Sequence, residues 1–246
     1  MQQVAVVTGA AQGLGRSIAE ALHRAGYRVA VTDVAVAGVA EVATALDPSG
    51  ETAMALALDV TSKAGCEAAL AAILAKWGAL HVAVNNAALT PTTPVMKITA
   101  EEFDRVLAVN LRGTLFGCQV FGAHLAAAGY GRIVNLASLA GQNGGTASGA
   151  HYASSKGAIL TLTKIFAREL GASGVTVNAV APGPMDLPSV HALVPAEKLA
   201  KIVETIPVRS LGDPDFVADT VVHLASPAAG FVTGAAWDLN GGLFMR

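Results

Sequence analysis

Short β-type runs alternate with longer helical patterns along most of this 246-residue chain, and the alternation limits the folds it can adopt. Seven runs have the length of strands, and apolar residues recur at helical spacing between them. Strands that alternate with helices predict an α/β protein: a doubly wound parallel sheet of seven strands with helices on both faces. The predicted strands are residues 4–7, 28–32, 53–58, 81–84, 132–136, 176–180 and 235–239.

The predicted helices fill the connections between these strands. The fourth helical segment is expected to be broken near Asn110. Because neither a linker nor an internal repeat interrupts the pattern, residues 1–246 are predicted to form a single domain. The segment from about 186 to 210 is punctuated by prolines and is interpreted as a lid over the substrate. The predicted helices cover residues 14–25, a segment ending near 46, then 63–77, 99–128, 151 to about 171, and 198–205.

The composition argues against several classes of protein. With 53% hydrophobic and 14% charged residues the chain is too apolar for disorder, and its net charge of −2 does not suit a nucleic-acid partner. No uninterrupted apolar run reaches the roughly 18 residues of a membrane span, and the N-terminus does not resemble a secretory signal. Cys66 and Cys118 form no spaced pair, so neither a disulfide framework nor a metal site is expected. A cytoplasmic protein without a nucleic-acid or membrane partner is predicted.

A glycine-rich turn joins the first predicted strand to the first predicted helix. It reads TGAAQGLG, and Gly9, Gly13 and Gly15 permit a tight turn and close approach of the backbone to a pyrophosphate. The N-terminus of the following helix would face that negative charge. Asp33 ends the second strand 18 residues after Gly15, which is the context of a dinucleotide-binding site. The alternatives are glycines that serve only the turn and an aspartate that caps the next helix.

The sequence HYASSK, residues 151–156, opens the long helical segment that ends near residue 171. Tyr152 and Lys156 are four residues apart and lie on one face of a helix. An ammonium near a phenol favours the phenolate, so a lowered pKa is expected for Tyr152 and would suit proton exchange with an alcohol or carbonyl. The alternative is a buried ring beside a solvated charge. His151 adjoins Tyr152 but does not share its helix face, and it is expected to support rather than contact the reacting atoms.

These motifs occur in the order typical of the classical short-chain dehydrogenase/reductase family, which the chain resembles nearly end to end. The resemblance implies a Rossmann fold, a nicotinamide cofactor and hydride transfer at a carbon that bears oxygen. The residues that carry it are Gly9, Gly13 and Gly15, Asp59-Val60, Asn85-Asn86-Ala87, Asn110, Ser138, Tyr152, Lys156, and Pro182-Gly183.

The resemblance also implies roles for individual residues. Tyr152 would be the general acid in reduction and the base in oxidation, while Lys156 would hold the nicotinamide ribose and, with the oxidised nicotinamide, depress the pKa of Tyr152. Ser138 would stabilise charge on the substrate oxygen, and Asn110 would position a water in a proton relay behind Lys156. The expected cofactor-binding residues are Gly9, Gln12, Gly13, Leu14, Gly15, Asp33, Asp59, Val60, Asn86, Ala87, Tyr152, Lys156, Pro182 and Gly183.

Three positions depart from the family pattern. Ala88 stands where a glycine is frequent, and Ser138 precedes Tyr152 by 14 residues where many members have 13. Leu187 replaces a threonine that often contacts the nicotinamide amide, so one cofactor hydrogen bond would be lost or supplied elsewhere. The glycine-rich loop 141–149 is expected to line the substrate pocket. The residues predicted for that pocket are Leu139, Gln142, Met185 and Leu187.

NAD(H) is predicted in preference to NADP(H). The carboxylate of Asp33 can accept hydrogen bonds from both adenosine ribose hydroxyls, whereas a 2′-phosphate would meet a like charge. No basic residue follows Asp33 directly, and Gln12 rather than a cation precedes Gly13. Arg16 lies beyond Gly15 and is expected to pair on the surface.

The leading functional hypothesis is an NAD(H)-dependent carbonyl reductase or alcohol dehydrogenase that interconverts a secondary alcohol and a ketone on a small, partly apolar molecule. The alternative within enzymes is a 3-oxoacyl-(acyl-carrier-protein) reductase, against which the scarcity of basic residues near Arg132 argues. The remoter alternative is a nucleotide-binding sensor without catalysis. Helices that are apolar on more than one face, within residues 111–128 and 158–170, predict a homotetramer.

Overall fold

The computed structural model describes residues 2–145 and 149–246. Seven strands and ten α-helices alternate along these residues. The strands are β1 Val4–Thr8, β2 Arg28–Asp33, β3 Ala53–Ala57, β4 Val82–Asn85, β5 Gly131–Leu136, β6 Val175–Pro182 and β7 Ala236–Leu239. The helices are α1 Gly13–Arg24, α2 Val36–Leu46, α3 Lys63–Trp77, α4 Ala100–Leu107, α5 Gly113–Ala127, α6 Ala140–Asn143, α7 Ala150–Leu170, α8 Pro188–Leu193, α9 Ala196–Thr205 and α10 Pro214–Ala225.

The strands form one parallel sheet in the order β3-β2-β1-β4-β5-β6-β7. The chain runs outward from β1 to β3, then returns to place β4 on the other side of β1. Strand order therefore reverses between β1 and β4, and the carboxyl ends of these strands border a crevice where such sheets bind ligands. The predicted doubly wound seven-stranded sheet is confirmed.

Helices cover both faces of the sheet because successive strand residues point to opposite sides. On β1, Ala5 and Val7 pack with α1, α2 and α10, whereas Val4 and Val6 pack with α3, α5 and α7. Both layers consist mainly of buried aliphatic side chains, which is consistent with the low charge content of the sequence. Cys66 and Cys118 are free and lie in the second layer, where burial raises their thiol pKa to about 11 and about 12.

The helical segment after β4 contains a π-helical turn, Ala108–Arg112, between α4 and α5. Such turns insert one residue into an α-helix and are frequent at functional sites. The predicted interruption near Asn110 corresponds to this turn, and Asn110 at its centre is fully buried.

The continuous helical stretch Ala100–Ala127 is long and apolar enough, by length and composition alone, to cross a membrane. It contains no uninterrupted apolar run of that length, because polar residues are scattered along it. Half of its most apolar window is buried inside the fold, and the core helix of a soluble protein passes the same test. The stretch is therefore weak support for a membrane span.

Three helices were not predicted from the sequence, α6, α8 and α10. Helix α10 carries recognisable start signals, because Pro214 occupies its first turn and the Asp213 carboxylate accepts a hydrogen bond from the Asp215 amide at 2.8 Å. Helix α8 begins with Pro188, and the surrounding prolines favoured the interpretation as an irregular lid. The predicted helix 198–205 corresponds to α9, which begins two residues earlier.

Candidate active site

A single cavity of about 530 Å³ opens at the carboxyl ends of the central strands. Its wall extends from Asp33 at the end of β2, past the turn between β1 and α1, to Ser138, Tyr152 and Lys156. All fourteen residues predicted to bind the cofactor contribute to this wall. The cavity therefore joins the predicted nucleotide end to the predicted catalytic end.

The glycines of the turn between β1 and α1 are required by its geometry. Gly9 and Gly13 have φ angles of +66° and +56°, in the left-handed region that favours glycine. A Cβ on Gly15 would lie 2.2 Å from the Gly9 carbonyl oxygen and 2.4 Å from Nδ2 of Asn86. Asn86 secures the turn by donating from Nδ2 to the carbonyl oxygens of Thr8 and Gly9, at 2.9 and 3.0 Å. The turn thus presents close-packed backbone to the cavity.

Asp33 holds the turn and also faces the cavity. Its Oδ2 accepts from the Ala11 amide at 3.3 Å, and its Oδ1 accepts from the Ala35 amide at 3.0 Å. The hydrogen bond to the Ala35 amide orders the chain ahead of α2. The alternative that Asp33 caps this helix is therefore correct in part, although the N-cap residue is Ala35. Arg16 pairs with Glu20 at 2.8 Å and Glu41 at 3.4 Å, as the sequence predicted, and does not contribute to the cavity wall among the described residues.

Asp59 and Val60 follow β3 and border the same cavity. The Asp59 carboxylate accepts from the Thr61 amide and hydroxyl, at 2.9 and 2.8 Å, so it orders the chain ahead of α3. Helix α3 itself is capped by Ser62. Ala87 packs directly against Gly9, and a Cβ on that glycine would lie 2.6 Å from the Ala87 Cα.

The first turn of α7 places Tyr152 at the cavity wall. Ser138, which lies between β5 and α6, borders the same cavity, and its Oγ accepts from the Ala140 amide at 3.1 Å. Burial raises the pKa of the Tyr152 phenol above its usual value, and the nearby Ser138 hydroxyl offsets only part of that rise. The expectation that Lys156 lowers the pKa of Tyr152 is therefore wrong when only the protein's own side chains act on the phenol.

Lys156 lies one turn further along α7, with its Nζ 5.6 Å from the centroid of the Tyr152 ring. The ammonium is almost fully buried and donates to the Leu136 carbonyl oxygen at 2.5 Å. Burial lowers the pKa of Lys156 to about 8 because the charged form is desolvated. A lysine ammonium has three donors, so two remain to bind hydroxyl groups in the cavity.

Asn110 does not reach the cavity wall among the described residues. Its Oδ1 accepts from the Leu89 amide at 2.8 Å, and its Nδ2 donates to the Leu89 carbonyl oxygen and to Ser155 Oγ, each at 3.0 Å. Ser155 Oγ in turn donates to the Tyr152 carbonyl oxygen at 2.7 Å. Asn110 thus links the loop after β4 to the helix that carries Tyr152, and its predicted role through a bound water stays a prediction.

The residues predicted for the substrate pocket separate into two pairs. Met185 and Leu187 border the same cavity as Tyr152, and Leu187 offers no hydroxyl there. Leu139 is buried and donates its amide to the Pro182 carbonyl oxygen at 2.9 Å, while Gln142 donates from Nε2 to Asp238 at 2.5 Å. Neither of these two contributes to the cavity wall that the structure describes. Residues 146–148 of the loop 141–149 lie outside the described residues.

Sequence reasoning missed the residues that complete the apolar end of the cavity and those that secure His151. Leu89 and Thr90 border the cavity after β4. His151 Nε2 lies 3.2 Å from Oε1 of Glu102, a residue 49 positions away that carries no motif. Only the three-dimensional structure brings these residues together.

A dinucleotide fits this cavity by the chemistry of its wall. The glycine turn permits close approach at the N-terminus of α1, whose first turn contains no acidic residue. Asp33 can bind ribose hydroxyls at one end, and Lys156 can bind them at the other. In the described chain, no cluster of three His, Cys, Asp or Glu side chains is arranged to hold a metal ion. Fold and site together define a nucleotide-dependent oxidoreductase.

Comparison with known proteins gives the same class. Residues 9–244 match the family model described as enoyl-(acyl carrier protein) reductase. A solved structure of a Sinorhizobium meliloti 1021 protein, provisionally assigned as a short-chain alcohol dehydrogenase, superposes with a TM-score of 0.92 and is 34% identical. That comparison covers 99% of this chain and 97% of the other.

Curated relatives match over nearly the whole chain. Sorbitol dehydrogenase of Cereibacter sphaeroides is 34% identical, with 99% of this chain and 98% of that protein covered. Acetoacetyl-CoA reductase of Shinella zoogloeoides is 37% identical, with 99% of each covered. The 3-oxoacyl-(acyl-carrier-protein) reductase of Vibrio cholerae is 35% identical, with 99% and 98% covered. The chain belongs to the classical short-chain dehydrogenase/reductase family.

Proposed function

We propose that the protein is an NAD(H)-dependent oxidoreductase that interconverts a secondary alcohol and a ketone on a small, partly apolar molecule. The observation that carries this proposal is the single cavity with Asp33 at one end and Ser138, Tyr152 and Lys156 at the other. When bound, the nicotinamide cofactor supplies the hydride to the carbonyl carbon, or accepts it in the reverse direction. The protein's own residues bind, orient and transfer the proton.

Tyr152 acts as the general acid in reduction and the general base in oxidation. Its phenol gives a proton to the carbonyl oxygen as the hydride reaches the carbon, and the alcohol returns that proton in the reverse reaction. Ser138, which borders the same cavity as the phenol, stabilises the charge that develops on the substrate oxygen. The Lys156 ammonium binds ribose hydroxyls, and its positive charge together with that of the oxidised nicotinamide offsets the effect of burial on the phenol pKa.

NAD(H) is the proposed cofactor because the adenosine end of the cavity is acidic. Asp33 faces it, and Arg16 is engaged by two glutamates. Among the described residues, Lys156 alone brings a lysine or arginine side chain to the cavity wall, and it lies at the nicotinamide end. A 2′-phosphate would therefore meet a carboxylate without a neighbouring cation.

A free small-molecule substrate is supported by apolar side chains in the cavity wall. Met185, Leu187 and Leu89 contribute such side chains to the cavity that Tyr152 borders. Relatives include dehydrogenases named for polyols and reductases named for acyl thioesters, so the family accommodates both kinds of substrate.

The second candidate is a 3-oxoacyl-(acyl-carrier-protein) reductase, which the identity of 35% to the Vibrio cholerae enzyme favours. An acidic carrier protein would need exposed basic residues for docking. Arg132 is buried, and its guanidinium donates to the carbonyl oxygens of Gly131, Ser226 and Pro227. It is therefore not available to a carrier, and the free substrate remains the better proposal.

A homotetramer is the proposed assembly. Ile165 on α7 is half exposed, and Phe103 on α4 is also exposed, so apolar surface remains on these two helices. Met245 near the C-terminus is a further exposed apolar side chain. Light scattering at micromolar concentration tests the proposal, and a monomer would contradict it. The cytoplasmic location stays a prediction.

A panel of ketones and secondary alcohols, followed by the absorbance of the reduced cofactor, tests the activity. We expect Tyr152→Phe to lower kcat by about 10²–10⁴-fold on the substrate identified, with the dissociation constant for NAD(H) unchanged. Tyr130→Phe is the matched control, because its hydroxyl accepts from Gln3 at 2.9 Å and does not border the cavity. Near-normal kcat in Tyr152→Phe would refute the assignment. Cofactor binding without turnover across the panel would favour the sensor.

A further inference from the structure

His151 holds the main-chain amide of the proposed general acid. Its side chain is fully buried, and Nδ1 lies 3.0 Å from the Tyr152 amide nitrogen. Because the amide can only donate, Nδ1 must accept, and the proton of the neutral ring resides on Nε2. The imidazole thus satisfies one of the unpaired amides in the first turn of α7.

The other nitrogen of the ring binds a carboxylate from α4. Nε2 donates to Glu102 Oε1 at 3.2 Å, and the Thr93 hydroxyl donates to the same oxygen at 2.7 Å. These two hydrogen bonds lower the pKa of Glu102 and so favour its ionised form. A chain of three hydrogen bonds therefore runs from Thr93 through Glu102 and His151 to Tyr152.

The space around His151 fixes the ring. Gly149 is the N-cap residue of α7, and a Cβ there would lie 2.3 Å from the His151 Cε1. The Gly149 amide donates to the Pro91 carbonyl oxygen at 3.0 Å. The loop between β4 and α4 is thus attached to the start of α7 at Pro91 and, through Glu102, at Thr93. The same loop forms the cavity wall at Leu89 and Thr90.

The two main-chain groups of Tyr152 are held from opposite sides. Its amide donates to His151, and its carbonyl oxygen accepts from Ser155 Oγ, which is bound by Asn110. The Asn110 side of this arrangement uses a residue of the family pattern, whereas the His151–Glu102 side uses residues outside it. Neither His151 nor Glu102 borders the cavity in the described part of the chain.

We propose that His151 and Glu102 are positioning residues that fix the Tyr152 phenol against Ser138 and Lys156 and hold the loop wall of the substrate cavity; this rests on the proposed role of Tyr152. Displacement of a reacting group by about 1 Å can cost about 10²-fold in rate. Loss of the pair should therefore reduce kcat while leaving the distant nucleotide end of the cavity intact.

Four variants separate the contacts. His151→Asn keeps an acceptor near the Nδ1 position but cannot reach Glu102, whereas His151→Gln keeps a donor near the Nε2 position but loses the acceptor for the Tyr152 amide. Glu102→Gln keeps an acceptor oxygen for both partners, and Glu102→Ala removes it. Glu101→Ala is the matched control, because Glu101 is the exposed neighbour of Glu102 on α4, while the hydrogen bond to His151 is made by Glu102.

We expect Glu102→Ala and His151→Gln to lower kcat by about 5- to 50-fold with an unchanged NAD(H) dissociation constant. Glu102→Gln and His151→Asn should retain kcat within about threefold of wild type, since each keeps part of the chain. The basic limb of the pH profile of kcat/KM, which reports the free enzyme's essential acid, should move in His151→Gln and not in Glu101→Ala.

Wild-type kcat and an unmoved pH limb in both Glu102→Ala and His151→Gln would overturn the proposal, while the loss of activity in Tyr152→Phe would leave the proposed function standing. The proposal would also be overturned if Glu102→Ala and His151→Gln lost no more kcat than Glu101→Ala does when the loss of Tm is equal. If Glu102→Ala does not fold, the comparison of His151→Gln with His151→Asn decides, and equal kcat in the two contradicts the proposal. An active Tyr152→Phe would instead refute the proposed function itself.

Discussion

The side-chain amide of Asn110 binds both main-chain groups of Leu89, accepting from its amide at 2.8 Å and donating to its carbonyl oxygen at 3.0 Å. The asparagine side chain thus pairs with the backbone of the loop as a neighbouring β-strand would, through one accepted and one donated hydrogen bond. Since Leu89 borders the cavity, the pairing fixes one wall of the site from within the core.

Asn110→Ala is expected to destabilise the protein and also to reduce kcat. The variant leaves the Leu89 backbone groups unpaired, and a buried unpaired group costs about 1–3 kcal/mol. For a chain of this size Tm should fall by about 2–4 °C for each kcal/mol. Asn178→Ala is the control, because Asn178 is equally buried and binds the backbone of Val232 and Ala235 away from the cavity.

Thermal unfolding and steady-state kinetics together check this prediction. Both variants should lose Tm, but only Asn110→Ala should lose kcat. A parallel loss of kcat in the Asn178 variant would indicate that the effect arises from general loosening of the fold.

Asp33→Ala is expected to reduce the preference for NAD over NADP. The carboxylate repels a 2′-phosphate by a few kcal/mol at an effective dielectric constant of about 20, which corresponds to about one to three decades of preference after screening by salt. The ratio of kcat/KM for the two cofactors measures it. Asp59→Ala removes another carboxylate from the same cavity and should leave the ratio unchanged. Wild-type preference for NADP would contradict the assignment of Asp33.

Gly15→Ala is expected to weaken cofactor binding by at least about tenfold, because the new Cβ would lie 2.2 Å from the Gly9 carbonyl oxygen and would distort the turn. Titration of the reduced cofactor by fluorescence gives the dissociation constant. Gly171→Ala is the control, since Gly171 has helical φ and no atom would approach a Cβ there within 4 Å. That variant should bind normally, and equal binding by Gly15→Ala would show that the turn can relax.

Lys156→Met is expected to remove part of the pH dependence of stability. Burial lowers the Lys156 pKa from 10.5 to about 8, so between these pH values the unfolded chain binds more protons at this residue than the folded protein does. The free energy of unfolding contributed by Lys156 therefore rises with pH from about 8 to about 10.5, by about 3 kcal/mol in total. Urea titrations of both proteins across this range measure the difference. A difference that does not change with pH would contradict the lowered pKa.

Most of the fold could be predicted from the sequence because its signals are local. Every strand was predicted to within two residues of its observed ends, since each apolar run lies between turn residues that stop it. The helix from Pro214 was missed although its proline and aspartate cap were visible. Helix α6, only four residues long, lies within a glycine-rich loop whose composition gave no sign of it.

The site was less completely predictable because its contacts are distant in sequence. The residues that motif spacing assigns to the cofactor end lie in the wall of one cavity, and their role in cofactor binding stays a prediction. The partner of Gln142 is Asp238, 96 residues away, and the partner of His151 is Glu102, 49 residues away. The pKa of Tyr152 was misjudged for a related reason: helix spacing reveals the nearby lysine, but the extent of burial depends on the whole fold.

The π-helical turn Ala108–Arg112 also limits which deletions this lineage can accept. Removing one residue there would restore ordinary helical hydrogen bonding and improve the segment locally. Because the turn takes up its extra residue locally, the deletion would leave α5 on its present face, with Gly117 still against Asn85. It would instead change the backbone of the turn itself, from which Asn110 binds Leu89 and Ser155. Selection should therefore preserve the length of this segment even where it permits changes of residue, because a locally favourable deletion would take Asn110 out of these hydrogen bonds.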